Sequence, residues 1–240
     1  MKFTLNTLKF ILKSTLLSLV LPLAFIVPAQ AGEYSAQYRV TFVGTWTPDS
    51  HPTDFPGGAH FSPLIGNTHN EEGFIWQANE IATNAIRQMA ETGGTSLLTN
   101  EINNMIMNTA SAESLIRGSG NIGAVGMDAI EFDVSESHPL FSIVTMIAPS
   151  PDWFVGAHGI DLLNNNGVWI SELTVDLLPY DAGTDSGSTF TSANSATSPR
   201  VPIQQINQSP LPGNVPLGSL IFELISTEGS PGFIFINGFE

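Results

Sequence analysis

The spacing of apolar residues predicts that most of this chain forms β-strands. From Tyr38 to Phe42 every second residue is apolar and the residues between are polar, which is the period-two pattern of a half-buried strand over residues 34–44. A mostly apolar run at 141–148 predicts a central strand. Further strands are predicted at 127–134, 153–163, 168–178, 219–225 and 232–236. The chain is therefore expected to be mainly β.

Apolar residues at three- and four-residue steps predict two helices early in the chain. The first covers residues 72–92, where apolar residues recur on one face from Ile75 to Met89. Gly93 and a second glycine follow at once, and glycine ends helices readily. The second helix covers 96–109 and shows the same spacing. We expect this pair to be an insertion in the β fold.

Turn-forming residues place the loops. Four prolines and three glycines at 46–66 predict a long ordered loop, and a Ser/Thr/Pro-rich stretch at about 183–218 predicts an irregular excursion. The sequence Asn-Asn-Asn-Gly at 164–167 predicts a hairpin turn between strands 153–163 and 168–178, because Asn and Gly accept positive φ. We therefore predict an antiparallel β-sandwich with an inserted pair of α-helices.

The first 31 residues have the pattern of a secretory signal peptide. Lysines cluster near the start, residues 10–27 are mostly apolar, and Ala29-Gln30-Ala31 is a small-residue cleavage site. Cleavage would leave 209 of the 240 residues, which we expect to form a single domain at 32–240. The mature protein is expected to be secreted, to the extracellular space or the periplasm.

The charge of the mature chain narrows the classes of partner. All three lysines lie in the signal segment, so four arginines face 22 acidic residues, a formal net charge of −18. Such a chain repels the phosphate backbone of nucleic acids, so we do not expect it to bind nucleic acid. Cysteine is absent, so no disulfide supports the fold. No second apolar run after the signal is long enough to span a bilayer.

Three aspartates are candidate ligands for one divalent cation. Asp152 ends the proline-stiffened sequence Pro-Ser-Pro-Asp, and Asp181 and Asp185 flank Gly183 in a second loop. A hairpin over 153–178 would return the chain to its starting edge and bring the two loops together. Hard cations such as Ca²⁺ bind carboxylate and carbonyl oxygens, and an ion would relieve the repulsion among three carboxylates. Solvated turn aspartates are the alternative that the spacing leaves open.

Two long motifs, PSPDWFVG and LLPYDAGTDSG, resemble the spondin N-terminal domain, a module of F-spondin and related extracellular-matrix proteins and of secreted bacterial proteins. WTPDSHPTDFP and HFSPLIGNTHN carry the same resemblance, which extends over about 38–206. It implies a β-sandwich similar to C2 domains and Ca²⁺ binding by Asp152, Asp181 and Asp185. Animal members carry cysteines, and this chain departs from them in having none.

The expected function is that of a secreted, non-enzymatic calcium-binding module in adhesion, matrix or surface interaction, with an unidentified protein or glycan partner. A secreted metal-dependent hydrolase and a calcium-dependent lipid- or glycan-binding module remain as alternatives. The hydrolase alternative draws on His51, His60 and His69, which lie nine residues apart. That spacing fits no usual zinc site. The lipid alternative is weakened because the mature chain lacks lysine.

Overall fold

The computed structural model describes residues 33–230. The predicted signal peptide at 1–31 and the predicted strand at 232–236 lie outside that range. The described residues belong to one compact unit, while the single-domain assignment of 32–240 stays a prediction. Among the described residues no helix is both long enough and apolar enough to cross a membrane.

The described chain is mainly β, as predicted, with antiparallel pairing in both of its sheets. Its strands are β1 (Ser35–Gly44), β2 (His60–Phe61), β3 (Ile65–His69), β4 (Ala112–Arg117), β5 (Ile122–Gly123), β6 (Met127–Ser135), β7 (Leu140–Ala148), β8 (Trp153–Asp161), β9 (Glu172–Leu177), β10 (Pro179–Asp181), β11 (Gln204–Gln205) and β12 (Gly218–Glu228). Its helices are α1 (Asn84–Thr92) and α2 (Ser96–Asn104), the latter continued by a π-helical turn at Met105–Thr109.

The first sheet has the strand order β6-β1-β12-β9. Strand β1 alternates as its sequence predicts, with Tyr38, Val40 and Phe42 buried and the residues between them partly or fully exposed. This alternation means that one face of the sheet is covered and the other faces solvent. The predicted strand at 219–225 is confirmed as part of β12, which pairs with β1 along its length.

The second sheet follows the order β11-β10-β8-β7-β2-β5, and β3 joins β7 to β4. Strand β7 is central, as its apolar sequence predicts, because β8 lies along one side and β2 and β3 share the other. Nearly all of its residues are buried. Burial on both faces explains why β7 shows no polar alternation.

Two hydrophobic cores lie on opposite faces of the second sheet. The first fills the space between the two sheets, where Phe141 of β7 meets Phe222 of β12 with ring centroids 5.0 Å apart. The second lies between the second sheet and the helices, where Ile86 and Met89 of α1 pack with Val144 of β7. The predicted sandwich with a pair of helices is therefore confirmed, whereas the likeness to C2 domains stays an expectation.

The helix predicted at 72–92 is wrong in its first half, because α1 begins only at Asn84. Asn79 has a φ of +70°, which interrupts a right-handed helix. Its N–H donates to the carbonyl of Ile203 at 2.8 Å, so the segment pairs with a distant part of the chain. Thr83 then caps α1 by accepting the N–H of Ile86 at 3.2 Å. Tertiary pairing has overridden the helical spacing.

The hairpin predicted over 153–178 forms only at its tip. The Asn-Asn-Asn-Gly turn is present, with Gly167 at a φ of +68° and the Asn164 N–H donating to Val168 at 2.9 Å. Beyond Leu163 and Trp169, however, β8 continues in the second sheet and β9 in the first. Trp169 is buried in the core between the sheets. The two arms of the predicted hairpin therefore belong to different sheets.

The loop predicted at 46–66 is largely confirmed, although it contains β2 and the start of β3. The excursion at 183–218 is irregular as predicted and contains one short strand, β11. Phe190 anchors the excursion in the core, with its ring 5.3 Å from that of Trp153 and 5.6 Å from that of Trp46. The excursion is therefore part of the packed fold.

Candidate functional site

The pairing of β10 with β8 brings two of the predicted aspartates together. Asp181 lies directly opposite Trp153 in this antiparallel pair, one residue from Asp152. The two loops therefore meet as predicted, but by a different route. The chain leaves the second sheet after β8, forms β9 in the first sheet, and returns to pair with β8 only at Pro179.

The Asp152 carboxylate is fully buried and joins the two loops. Its Oδ2 atom accepts hydrogen bonds from the backbone N–H groups of Thr184 at 2.7 Å and Asp185 at 3.0 Å. The Thr184 hydroxyl donates to the same oxygen at 3.2 Å. The other oxygen, Oδ1, is buried and has no hydrogen-bond partner among the described residues. A buried oxygen without a partner is costly, and a bound ion or an ordered water would remove that cost.

Asp181 and Asp185 shape their own loop. The Asp181 Oδ1 atom accepts the N–H of Gly183 at 2.8 Å. Both oxygens of Asp185 are occupied, Oδ1 by the N–H of Gly187 at 2.7 Å and Oδ2 by the N–H of Ser195 at 2.7 Å. Asp185 therefore holds the excursion to the loop, while Asp152 retains the free oxygen.

Gly183 allows the loop to curl between the two aspartates. Its φ is +72°, in the left-handed region that glycine enters without a steric penalty. A Cβ at this position would overlap the carbonyl oxygen of Val201, and the Gly183 carbonyl accepts the Val201 N–H at 3.1 Å. The glycine therefore permits both the turn and its contact with the neighbouring segment.

Burial and mutual repulsion disfavour the charged forms of two of these aspartates. Burial raises the pKa of Asp152 to about 6, and the nearby charge of Asp181 adds to the rise. The pKa of Asp181 is also raised, again mainly by burial, with a smaller contribution from Asp185. Hydrogen bonds from backbone N–H groups oppose both shifts. A cation at this position would reverse this cost.

An open pocket of about 510 Å³ lies beside these loops. Trp153, Asp181 and Asp185 form part of its lining, and the segments 186–188 and 201–209 form the rest. Asp152 is not among the lining residues. The pocket therefore reaches the site from the side of Asp181 and Asp185.

The donor set fits a hard cation in part. The Asp181 charge acts on Asp152, and the Asp185 charge acts on Asp181. The unpartnered Asp152 Oδ1 is an available ligand oxygen. Across residues 33–230, however, no three His, Asp or Glu side chains are grouped as a ready-made ligand cluster. Ca²⁺ accepts carbonyl and water oxygens alongside carboxylates, and these would have to supply the remaining ligands.

The three histidines of the hydrolase alternative serve separate structural roles. His51 is buried and its Nδ1 lies 2.9 Å from the Ser50 hydroxyl. The Nδ1 atom of His60 lies 2.8 Å from the Gly58 carbonyl. His69 is buried between the Asn70 carbonyl at 2.7 Å and the hydroxyl of Ser142 at 2.8 Å. The structure does not bring these histidines together as metal ligands.

Sequence reasoning missed two groups that complete the site. Thr184 donates two hydrogen bonds to Asp152. Its position between Asp181 and Asp185 is the one sequence feature that could have indicated this role. Ser195 donates to Asp185 across ten positions of irregular chain, which no local pattern indicates. The site is therefore larger than the two acidic motifs.

The chain is similar in sequence to one known protein family and to several of its members. A sequence model of the Spondin_N family matches residues 36–215, a range that includes all three aspartates. Spondin-2 of Rattus norvegicus is 36% identical over 177 residues, which are 72% of this chain and 53% of that protein. Spondin-1 of Gallus gallus is 34% identical over 176 residues, 72% of this chain and 22% of that protein. Spondin-1 of Xenopus laevis is 31% identical over 208 residues, 81% of this chain and 26% of that protein. The chain thus spans about half of Spondin-2 and about a quarter of Spondin-1.

Proposed function

Because the chain belongs to the Spondin_N family, we propose that it is a secreted calcium-binding module that acts in adhesion or surface interaction. Asp152, Asp181 and Asp185 hold the ion in this proposal. The bound ion links the loop before β8 to the loop after β10, and these loops border the open pocket. The ion thus stabilises the surface that the module presents to its partner.

The observation that carries the calcium proposal is the buried, unpartnered Oδ1 atom of Asp152. A carboxylate with a pKa raised to about 6 is still mostly ionised at neutral pH, although burial and Asp181 both oppose its charge. A divalent cation would satisfy the free oxygen and neutralise the repulsion at once. We expect a dissociation constant of about 10⁻⁴–10⁻³ M, the range of extracellular calcium modules.

A binding role is favoured over a catalytic one. Asp152 is fully buried, and a general acid or base must come within hydrogen-bond reach of its substrate. The pocket lining includes no histidine, lysine or arginine that would activate a serine nucleophile. The hydrolase alternative would therefore have to rely on the two carboxylates of the lining, Asp181 and Asp185.

Calcium-dependent thermal melting of the mature chain tests the proposal. At ten times the dissociation constant, calcium should stabilise the chain by about 1.4 kcal/mol and raise the melting temperature by about 3–5 °C. Asp152→Asn should abolish this rise. Asp176→Asn is the matched control, because Asp176 is exposed on β9 in the other sheet, and it should preserve the rise. An equal rise in all three proteins would refute the assignment of the site.

A further inference from the structure

The pocket beside Asp181 and Asp185 has a lining that the calcium proposal does not use. Besides these two carboxylates it presents four side-chain amides and three hydroxyls, from Gln204, Gln205, Asn207, Gln208, Ser186, Ser188 and Ser209. Its volume of about 510 Å³ lies within the range of small-ligand sites. The size and the polar lining together indicate a small polar ligand.

Two of the four amides are free to contact a ligand. The Gln205 Nε2 atom donates to the Gly213 carbonyl at 2.6 Å, and the Asn207 Nδ2 atom donates to the Gln205 carbonyl at 3.3 Å. Gln204 and Gln208 are exposed, and their side chains form no hydrogen bond within residues 33–230. Each free amide offers a donor and an acceptor, which together match a ligand hydroxyl.

The charge of the lining disfavours an anionic ligand. No lysine, arginine or histidine is among the lining residues, whereas two carboxylates are. Phosphate, sulfate and uronic-acid groups would therefore be repelled, and one Ca²⁺ held by three carboxylates would leave a net charge of about −1 that still opposes them. Val201, Pro202 and Ile206 add aliphatic surface, against which the C–H face of a sugar ring can pack.

The edge of the second sheet disfavours an extended peptide as the ligand. Strand β11 is the edge strand of that sheet, but the backbone groups of β11 and of the residue before it are partly occupied. Ile203 exchanges hydrogen bonds with the 79–80 segment, at 2.8 Å and 2.9 Å, and the Gln205 carbonyl accepts the Asn207 side chain. Fewer backbone groups therefore remain for the addition of a strand.

We propose that this pocket binds a neutral saccharide unit of a glycan, with Gln204 and Gln208 as its polar contacts. The inference rests on the proposed function because Asp181 and Asp185 border both the ion site and the pocket. The inference adds the chemical class of the partner, a neutral saccharide. It assigns saccharide binding to Gln204 and Gln208, which lie outside the ion site.

An array of immobilised oligosaccharides tests the inference with the mature chain, in millimolar calcium and in EDTA. The array contains neutral glucose-, galactose- and mannose-terminated glycans and their sulfated and uronic-acid counterparts. We expect binding to neutral glycans only. The strongest neutral oligosaccharide is then titrated against Gln204→Ala and Gln208→Ala, which should each weaken binding about tenfold, the loss expected for about one good hydrogen bond. Gln77→Ala, an exposed glutamine outside the pocket, should bind as the wild type does.

The outcomes separate this inference from the calcium proposal. Preference for acidic glycans, binding to no glycan, or unchanged affinity of both glutamine variants would overturn the saccharide inference, whatever the effect of calcium on melting. Saccharide binding that requires Gln204 and Gln208 supports the inference even if calcium does not raise the melting temperature, and the calcium proposal alone would then fail. Asp152→Asn tests the two proposals in the opposite way. It should lose the calcium-induced rise in melting temperature, while the side chains of Gln204 and Gln208 stay in place to bind the saccharide.

Discussion

The Asp152 Oδ2 atom accepts the backbone N–H of Asp185 at 3.0 Å, across 33 positions of sequence. This bond ties the loop before β8 to the loop after β10. Burial and the neighbouring charge of Asp181 make ionisation costly for Asp152. A bound cation would offset the cost of ionising Asp152 and stabilise the contact between the two loops.

The Asp152→Asn variant should be more stable than the wild type when calcium is absent. The asparagine oxygen can still accept the donors that Oδ2 accepts, and the charge that Asp181 repels is removed. The amide nitrogen takes the buried position of Oδ1, and its desolvation offsets part of the gain. The pKa rise from 3.8 to about 6 corresponds to a gain of up to roughly 3 kcal/mol at neutral pH. Urea unfolding in EDTA measures the difference. A variant less stable than the wild type would show that ionised Asp152 is not strained in the folded chain.

The contribution of Asp152 to stability should depend on pH in a stated direction. Burial raises its folded pKa from the ordinary value of 3.8 to about 6, so its favourable contribution is complete below about 3.8 and is lost as the pH rises through about 6. Calcium competes with the proton, so the calcium-induced rise in melting temperature should grow as the pH increases from 5 to 7. Melting curves with and without calcium at each pH measure this. A calcium effect that does not change across this window would contradict the assignment.

Replacing Gly183 with alanine should disrupt the acidic loop. The left-handed backbone and the overlap with the Val201 carbonyl together predict a loss of about 3 kcal/mol or more, with loss of the calcium response. Gly167→Ala is the control, because its φ of +68° is similar but no atom lies within 4 Å of the added Cβ. That variant should lose only about 1 kcal/mol and keep the response. Equal losses in the two variants would mean that the contact with Val201 is unimportant.

His69 should make the protein sensitive to acid. Burial lowers its pKa, and its Nε2 lies 2.8 Å from the Ser142 hydroxyl, an arrangement that suits the neutral ring. Its contribution to stability is therefore complete above the unfolded value of about 6.5 and is lost as the pH falls through the lowered folded value. Chemical unfolding at pH 7.5 and at pH 5 measures the free energy of unfolding. The decrease between these two values should be smaller in His69→Asn than in the wild type. His51 and His158 also have lowered pKa values, so the loss should decrease without disappearing.

Much of the fold was predictable because local spacing and burial agree. The alternation in β1 and the apolar run of β7 report their burial directly. The motifs PSPDWFVG and LLPYDAGTDSG indicated the spondin family, which the family match confirms. Helix α2 was predicted with its start at Ser96, because its apolar spacing matches the burial of Leu98 and Ile102.

The errors arose where distant contacts overrode local spacing. Asn79 pairs with Ile203 instead of continuing a helix, and β9 pairs with β12 in the first sheet instead of with β8. The proximity of Asp152 and Asp181 was predicted from a hairpin but arises from the pairing of β10 with β8. The role of Asp152 as an acceptor for Thr184 required the three-dimensional structure, since 32 positions separate the two residues.

The most direct test of the central proposal is a calcium titration of the mature chain followed by the NMR signals of backbone amides. Thr184 and Asp185 donate to Asp152, and Gly183 donates to Asp181. These three amide signals should shift together and saturate with one dissociation constant of about 10⁻⁴–10⁻³ M, and they should not respond in Asp152→Asn. Signals that stay fixed while calcium reaches 10 mM, about ten times the upper end of that range, or shifts confined to other parts of the chain, would contradict the proposed site.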